Sequence, residues 1–240
     1  MTQRTGSILA LVAIVLALGA GVLVGRNWGG GGSRASVEKI VHDYILDHPE
    51  ILPQAMENLQ KRENAQALSG VRDQVTKAYP GAVLGNPNGK ITLVEFTDFA
   101  CGYCRKSVAD VHALIAANPE LKVVVRELPI LSPASADAAK MALAAAEQGK
   151  YAAFHDAMYA AGAPGPETIA AAAQAAGLDM ARAQKVIADP RSQAELESNI
   201  DLARQLGFNG TPSWVVGDKL LSGAVGKDRL QEAISEAHKS

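Results

Sequence analysis

The two cysteines of this 240-residue chain, Cys101 and Cys104, are separated by only two residues. They follow an apolar run, residues 91–96, that predicts a β-strand, and they open a pattern, residues 106–117, that predicts a helix. The pair therefore lies where a strand passes into a helix, whose positive N-terminal end favours a thiolate. A second apolar run, residues 122–126, follows this helix, so the cysteines are predicted to belong to a β–α–β unit.

Two cysteines are too few for a disulfide framework, and a single CxxC pair beside a β–α–β pattern favours redox chemistry. Copper or zinc held by two cysteines alone would be incompletely coordinated. The histidines show no paired ligand spacing; they are His42, His48, His112, His155 and His238. We therefore predict a redox-active Cys101–Cys104 disulfide with no metal and no other cofactor. A copper- or zinc-binding, chaperone-like module that uses the same cysteines is the alternative.

The composition narrows the class of protein further. Hydrophobic residues make up 48% of the chain, which is enough for a sizeable core. The formal net charge is −2, and the pI is about 6.2. This balance does not have the basic character of a nucleic-acid-binding protein, and we expect no nucleic-acid partner.

Residues 1–34 are predicted to lie outside the fold. Arg4 precedes an uncharged apolar run, residues 8–24, which has the length of a short membrane-spanning helix. A glycine-rich tether, residues 29–33, follows it. Because no clear small-x-small cleavage site follows the run, we favour an uncleaved inner-membrane anchor over a cleaved signal peptide. In either case the remainder of the chain is predicted to face the periplasm.

Residues 35–80 are predicted to form a helical arm. A short amphipathic helix over residues 36–46 is followed by a longer one that ends near residue 78, and Gly70 weakens the middle of the longer helix. The apolar stripe of these helices has no partner within the arm, so it must pack on the body of the protein or on another copy of the chain. The first alternative leaves a monomer, and the second predicts a homo-oligomer formed through residues 36–78.

Residues 81–240 are predicted to form an α/β domain. Its strands are expected at residues 82–84, 90–96, 122–126, 213–216 and 219–222. A long alanine-rich helical region, about residues 132–206, interrupts the strands, and a final helix is expected at residues 227–238.

The position of each cysteine predicts its role. Cys101 stands where the helix begins, so we expect its sulfur to be exposed and to act as the nucleophile. Cys104 lies one helical turn further in and is expected to be shielded, so it would resolve the mixed disulfide by attacking Cys101. Gly102 and Tyr103 lie between the sulfurs and are predicted to tune the reduction potential and to contact the substrate.

Two further features belong to the same predicted site. Glu95 interrupts an apolar strand six residues before Cys101, where it can accept the proton that Cys104 must lose; the alternative is a carboxylate exposed at the edge of the sheet. Thr211 and Pro212 come directly before a strand, where a cis peptide bond would leave the Thr211 backbone free to pair with an extended substrate.

These motifs together resemble the DsbA-like branch of the thioredoxin superfamily over about residues 82–238. The resemblance implies a thioredoxin fold with an inserted helical domain, Cys101 as nucleophile, Cys104 as resolving cysteine, Glu95 as buried acid and Pro212 in the cis form. The segment from residue 37 to residue 52 also resembles the N-terminal segment of ScsC-like (suppressor of copper sensitivity) proteins, which implies self-association.

The resemblance also implies partners. The expected clients are exported proteins that contain cysteines, and a membrane redox protein is expected to recycle the dithiol. Tyr103 replaces the histidine of the most oxidising family members, and Thr211 matches the residue that oligomeric disulfide isomerases carry before the proline. Disulfide formation and disulfide isomerisation both remain open.

Overall fold

The computed structural model describes residues 34–238, and these fall into two compact units divided between Glu57 and Asn58. The predicted anchor, residues 8–24, lies outside the described residues. None of the helices in the described part of the chain has the length and apolarity needed to cross a membrane.

The first unit contains the helix α1 (Arg34–Asp47) and the beginning of the helix α2 (Ile51–Leu68). Helix α1 has no buried residue. Large apolar side chains that are more than half exposed recur along it at helical spacing; they are Val37, Ile40, Val41 and Tyr44. The amphipathic stripe predicted from the sequence is therefore present and is uncovered within this unit.

The second unit is built on a five-stranded mixed sheet with the order β1-β3-β2-β4-β5. The strands are β1 (Val83–Gly85), β2 (Ile91–Thr97), β3 (Leu121–Glu127), β4 (Ser213–Val216) and β5 (Lys219–Ser222). Strands β2 and β3 are parallel, and every other neighbouring pair is antiparallel. The parallel pair is connected by the helix that carries the cysteines, which is the predicted β–α–β unit.

Helices cover both faces of this sheet. They are α3 (Arg72–Thr76), α4 (Gly102–Ala117), α5 (Pro133–Ala146), α6 (Tyr151–Ala161), α7 (Pro166–Ala175), α8 (Met180–Ala188), α9 (Pro190–Gln205) and α10 (Lys227–Ala237). Helices α5 to α9 form the predicted insertion between β3 and β4. Proline lies in the first turn of α5, α7 and α9, and it separates α7 and α9 from the helices before them, because proline is tolerated at a helix start and disfavoured in its interior.

Strand β2 is buried on both faces, because its side chains alternate between two cores. Leu93 points to a core that contains residues of α4, α6 and α10. Val94 and Phe96 point to a second core with residues of α2, α3 and α9. The first core contains both cysteines.

The long arm helix of the prediction is divided in the structure. Helix α2 ends at Leu68 and α3 begins at Arg72, with Gly70 between them at a φ of 85° that favours glycine. Leu68 and Val75 are fully buried in the core beside Phe96. Residues 58–80 therefore pack as part of the sheet domain, although we expected them in a separate arm.

Candidate active site

The turn before the cysteines is held by the buried carboxylate of Asp98, which follows β2 directly. Its Oδ1 accepts a hydrogen bond from the Ala100 N–H at 2.8 Å. Its Oδ2 accepts from the N–H groups of Ile130 and Leu131 at 2.9 and 3.0 Å. The Asp98 carbonyl in turn accepts from the Cys101 N–H at 2.9 Å. One side chain thus fixes the start of the cysteine helix against the loop that follows β3.

Cys101 is the N-cap residue of α4, as the sequence predicts, but the residue is largely buried. The residue is only 6% exposed, compared with 1% for Cys104. The Thr211 carbonyl covers it and accepts a hydrogen bond from Cys101 Sγ at 3.2 Å. The predicted exposure of the nucleophile is therefore wrong, because the loop before β4 covers Cys101. Cys101 is nevertheless the more accessible of the two buried cysteines.

The surroundings of Cys101 favour its thiolate. Burial acts to raise the pKa of the Cys101 thiol, but the Thr211 side chain and hydrogen bonds from the start of α4 outweigh it and lower the pKa below its ordinary value. These stabilising groups include the backbone N–H of Tyr103 and that of Cys104. They belong to the first turn of the helix, where the N–H groups have no partner within the helix and point toward an anion.

Cys104 has the opposite character. Burial raises the pKa of its thiol to about 12, and the nearby charge of Glu95 adds to this shift, while contact with the Thr97 side chain opposes it. Both cysteines are free thiols in this structure. The dithiol therefore consists of one sulfur that ionises readily and one that keeps its proton until a base removes it.

Glu95 lies inside the domain and not at an exposed edge. Its residue is 3% exposed, and burial raises the pKa of its carboxyl to about 8. Strand register pairs Glu95 with Val125 of β3 and with Trp214 of β4, so the carboxyl points to the core that contains Cys104. An acid with a pKa near neutrality beside a thiol that must lose a proton is suited to general acid–base work.

The loop before β4 completes the site. The Thr211–Pro212 peptide bond is cis, which is the geometry that the resemblance implies. Thr211 Oγ1 is a buried polar atom without a hydrogen-bond partner among the described residues. Gly102 and Tyr103 are both exposed, and Tyr103 is 63% exposed. The structure thus brings all seven predicted residues to one end of the sheet.

The sequence did not predict the buried polar residues that surround these seven site residues. The Tyr159 hydroxyl lies 2.6 Å from Thr97 Oγ1, and Thr97 contacts Cys104. Glu127 is buried at the end of β3 and accepts a hydrogen bond from Tyr151. The signal that selected Glu95, a carboxylate attached to an apolar strand, also applies to Glu127 and would have found it.

A metal centre was the alternative use of the cysteines. Over residues 34–238, no three His, Cys, Asp or Glu side chains are placed so that they could hold a metal ion together.

The family model described as a DSBA-like thioredoxin domain matches residues 92–235, more than half of the chain. The chain belongs to the DSBA-like thioredoxin-domain family. A second family model, described as the copper resistance protein ScsC N-terminal domain, matches residues 34–66. The predicted resemblance to DsbA-like and ScsC-like proteins is thus confirmed, and members of this family are thiol–disulfide oxidoreductases.

Solved structures of related proteins have the same fold. A thioredoxin-like oxidoreductase from Silicibacter pomeroyi is 43% identical and covers 70% of this chain and 98% of its own, with a TM-score of 0.66. The thiol-disulfide exchange protein alpha-DsbA2 from Wolbachia pipientis is 30% identical over 76% of this chain and 97% of its own, with a TM-score of 0.68. Proteus mirabilis ScsC in a transitional conformation is 27% identical and covers 86% of this chain and 97% of its own, with a TM-score of 0.67.

The curated relatives that match are Na⁺/H⁺ antiporters. The NhaA 3 antiporter of Salinispora tropica is 29% identical over 179 residues, which are 72% of this chain and 28% of the antiporter. The chain therefore spans only about a quarter of the length of these relatives.

Proposed function

We propose that this DSBA-like protein forms or isomerises disulfides in exported proteins. The observation that supports this most strongly is the contrast between the two thiols. Cys101 has a lowered pKa and lies against the Thr211 carbonyl, whereas Cys104, one helical turn away, has its pKa raised to about 12. Such a pair forms a mixed disulfide at the first sulfur and resolves it with the second.

The exchange proceeds in two steps. When the chain is reduced, the Cys101 thiolate attacks a client disulfide, a Cys101–client bond forms, and one client sulfur leaves. Glu95 then accepts the Cys104 proton, Cys104 attacks Cys101, and the second client sulfur leaves. The client gains two electrons and the dithiol becomes a disulfide. Disulfide formation in a client is the same sequence in reverse.

The loop that contains Thr211 and Pro212 is the proposed client platform. An extended client would pair with the Thr211 backbone, which displaces the contact between Cys101 Sγ and the Thr211 carbonyl. The exposed Gly102 and Tyr103 would contact the client beside its cysteine.

The proposal also includes where the protein acts, what resets its dithiol and whether it forms an oligomer. An apolar segment at residues 8–24 would anchor the chain in the inner membrane, with the catalytic domain in the periplasm, or would direct its export if cleaved. A membrane redox protein would reset the dithiol. The uncovered apolar side chains of α1 support self-association through residues 36–78. An oligomer recycled by a reductant would act as an isomerase, and a monomer recycled by an oxidant would act as an oxidase.

The test uses the reduced full chain in detergent, with disulfide-bonded insulin and scrambled ribonuclease as substrates. We expect Cys101→Ser to lose exchange with both substrates. Cys104→Ser should accumulate mixed disulfides with them, because the second step is blocked. Lys106→Gln, which changes an exposed residue of the same helix, serves as the control and should retain exchange.

Full exchange by Cys101→Ser would contradict the nucleophile assignment. Stoichiometric copper or zinc, lost on thiol oxidation and accompanied by no exchange in the unmodified chain, would favour the metal-binding alternative.

A further inference from the structure

A second acid, Glu127, is buried on the same side of the sheet as Glu95. It is the last residue of β3 and is 1% exposed. Strand register pairs Glu127 with Thr97 and Val125 with Glu95. Paired residues of neighbouring strands point to the same face, so Glu95 and Glu127 are diagonal neighbours on the face that contains Cys104.

The carboxyl of Glu127 is only half satisfied. Its Oε1 accepts a hydrogen bond from the Tyr151 hydroxyl at 2.7 Å. Its Oε2 is buried without a hydrogen-bond partner among the described residues. The backbone carbonyl of Glu127 accepts from Asn199 Nδ2 at 3.1 Å, which fixes the end of the strand. A carboxylate held in this way is costly when ionised, because one oxygen has neither water nor a donor.

Among the described residues, the side chains that face this acid supply no positive charge. Asp98 and Glu95 of the neighbouring strand region raise the pKa of Glu127 further, beyond the larger effect of burial. Tyr151 and Tyr159 face it from α6, the His155 ring lies 6.0 Å from the Tyr151 ring between centroids, and Cys104 lies in the same core on α4. Burial lowers the pKa of His155, which keeps that imidazole neutral.

The nearest arginine in sequence is used elsewhere. Arg126 precedes Glu127, so its side chain leaves the opposite face of the strand. Its Nε donates to the Val75 carbonyl at 2.9 Å, and its Nη1 donates to Asn199 Oδ1 at 2.6 Å. With no cation beside them, the charge of Glu95 opposes ionisation of its buried neighbour Glu127.

We propose that Glu127 is a positioning residue for the chemistry of Cys104: it forms with Glu95 an acid pair that carries one negative charge at a time. The proton on Glu127 then determines whether Glu95 is ionised and free to accept the proton of Cys104. This inference rests on the proposed dithiol function. In the step concerned, the Cys104 proton moves to the Glu95 carboxylate, and the Cys104–Cys101 bond forms as the bond from Cys101 to the client sulfur breaks.

The experiment measures only the second step of exchange, in which Cys104 attacks Cys101 and resolves the mixed disulfide. The reduced full chain is mixed with saturating glutathione disulfide, quenched with acid at successive times, and analysed by mass spectrometry for the glutathione adduct and the internal disulfide. The first-order rate at which the adduct is resolved is measured from pH 6 to pH 10. For the unmodified chain we expect this rate to rise with pH in two steps, separated by more than about one pH unit, because the two acids are proposed to be coupled.

Glu127→Gln should convert this profile to a single step. Between the two steps of the unmodified chain, the variant should resolve the adduct about twofold faster, because Glu95 no longer shares its charge. Tyr151→Phe keeps both acids but removes the donor that lowers the pKa of Glu127, so the upper step should move to higher pH. This second variant tests the proposal even if Glu127→Gln does not fold.

Asn199→Ala is the control for a purely structural effect. It removes the hydrogen bond to the Glu127 backbone but leaves both carboxyls, so the two-step profile should persist. A two-step profile in Glu127→Gln, or a single step in the unmodified chain, would overturn the acid pair while leaving the dithiol function intact. Absence of both the glutathione adduct and the internal disulfide in the unmodified chain would instead contradict the proposed function.

Discussion

At the scale of single residues, the site places a titratable acid where water cannot reach it. Glu95 has an ordinary pKa of 4.5 when unfolded and about 8 in the fold, because burial disfavours its charged form. Between these pH values the folded chain binds a proton that the unfolded chain has released. The fold therefore loses stability as pH rises from about 4.5 to about 8, and keeps its full stability below this range.

Glu95→Gln should remove this dependence, since the amide cannot ionise. We expect the reduced variant to be more stable than the unmodified chain by about 3 kcal/mol at pH 7, with a gain near zero at pH 4. Urea unfolding of the reduced full chain between pH 4 and pH 8 measures the difference. The same variant should resolve mixed disulfides more slowly, because the proton acceptor of Cys104 is lost.

Glu63→Gln, which changes an exposed carboxylate of α2, is the control and should give no such pH-dependent gain. A stability difference for Glu95→Gln that is constant across pH would show that Glu95 is already ionised in the folded chain.

At the scale of secondary structure, the short helix α3 is attached to the sheet by two arginines of different kinds. Arg126 is buried in β3, and its guanidinium donates to the carbonyls of Gln74, Val75 and Lys77 at the end of this helix. Arg72 is exposed and donates to the Gly217 carbonyl at 2.8 Å and to the Asp218 carboxylate. Arg126 makes its contacts from a buried side chain, whereas Arg72 makes its contacts at the surface.

Arg126→Met should therefore destabilise the fold by about 3–5 kcal/mol, because it removes a buried cation and leaves the Val75 carbonyl and the Asn199 side chain without their buried donor. Arg72→Met should cost less than about 1 kcal/mol, as expected for an exposed pair. Urea unfolding of the two variants under the same conditions gives the comparison. Equal losses would mean that Arg126 is hydrated and that burial does not strengthen its contacts.

The elements could be predicted well because their signals are local. The apolar run of β2 identifies a strand from neighbouring residues alone, and Gly70 marks the point at which the long predicted helix is divided. The burial of Cys101 and the role of Asp98 could not be predicted in this way. Both depend on loops distant in sequence, those at Thr211 and at Ile130, which approach the cysteines only when the sheet has formed.

At the scale of the whole molecule, α1 presents apolar side chains that are not covered within its own unit. Ile40 is 67% exposed and Tyr44 is 55% exposed. A stripe of this kind on a soluble surface is a usual site of association. The stripe of α1 lies within residues 34–66, the part of the chain that resembles the ScsC N-terminal domain.

Ile40→Glu combined with Tyr44→Glu should convert the proposed oligomer to a monomer, because charges would enter its apolar interface. Light scattering of the full chain in detergent measures the mass. Exchange with glutathione disulfide should be unchanged, whereas refolding of scrambled ribonuclease should decrease if isomerisation needs several sites in one particle. Glu38→Gln, on the polar side of α1, should leave the mass unaltered, and an equal mass for all three proteins would contradict self-association through this stripe.

The two residues between the sulfurs both lie at the surface. A β-carbon added at Gly102 would meet no atom within 4 Å, and Tyr103 projects into solvent. Because Asp98 holds the start of the helix in place, the side chains of these two residues can be substituted without destabilising the fold. Substitutions at these two positions, whether natural or engineered, can therefore change the electron affinity of the dithiol while the surrounding fold stays the same.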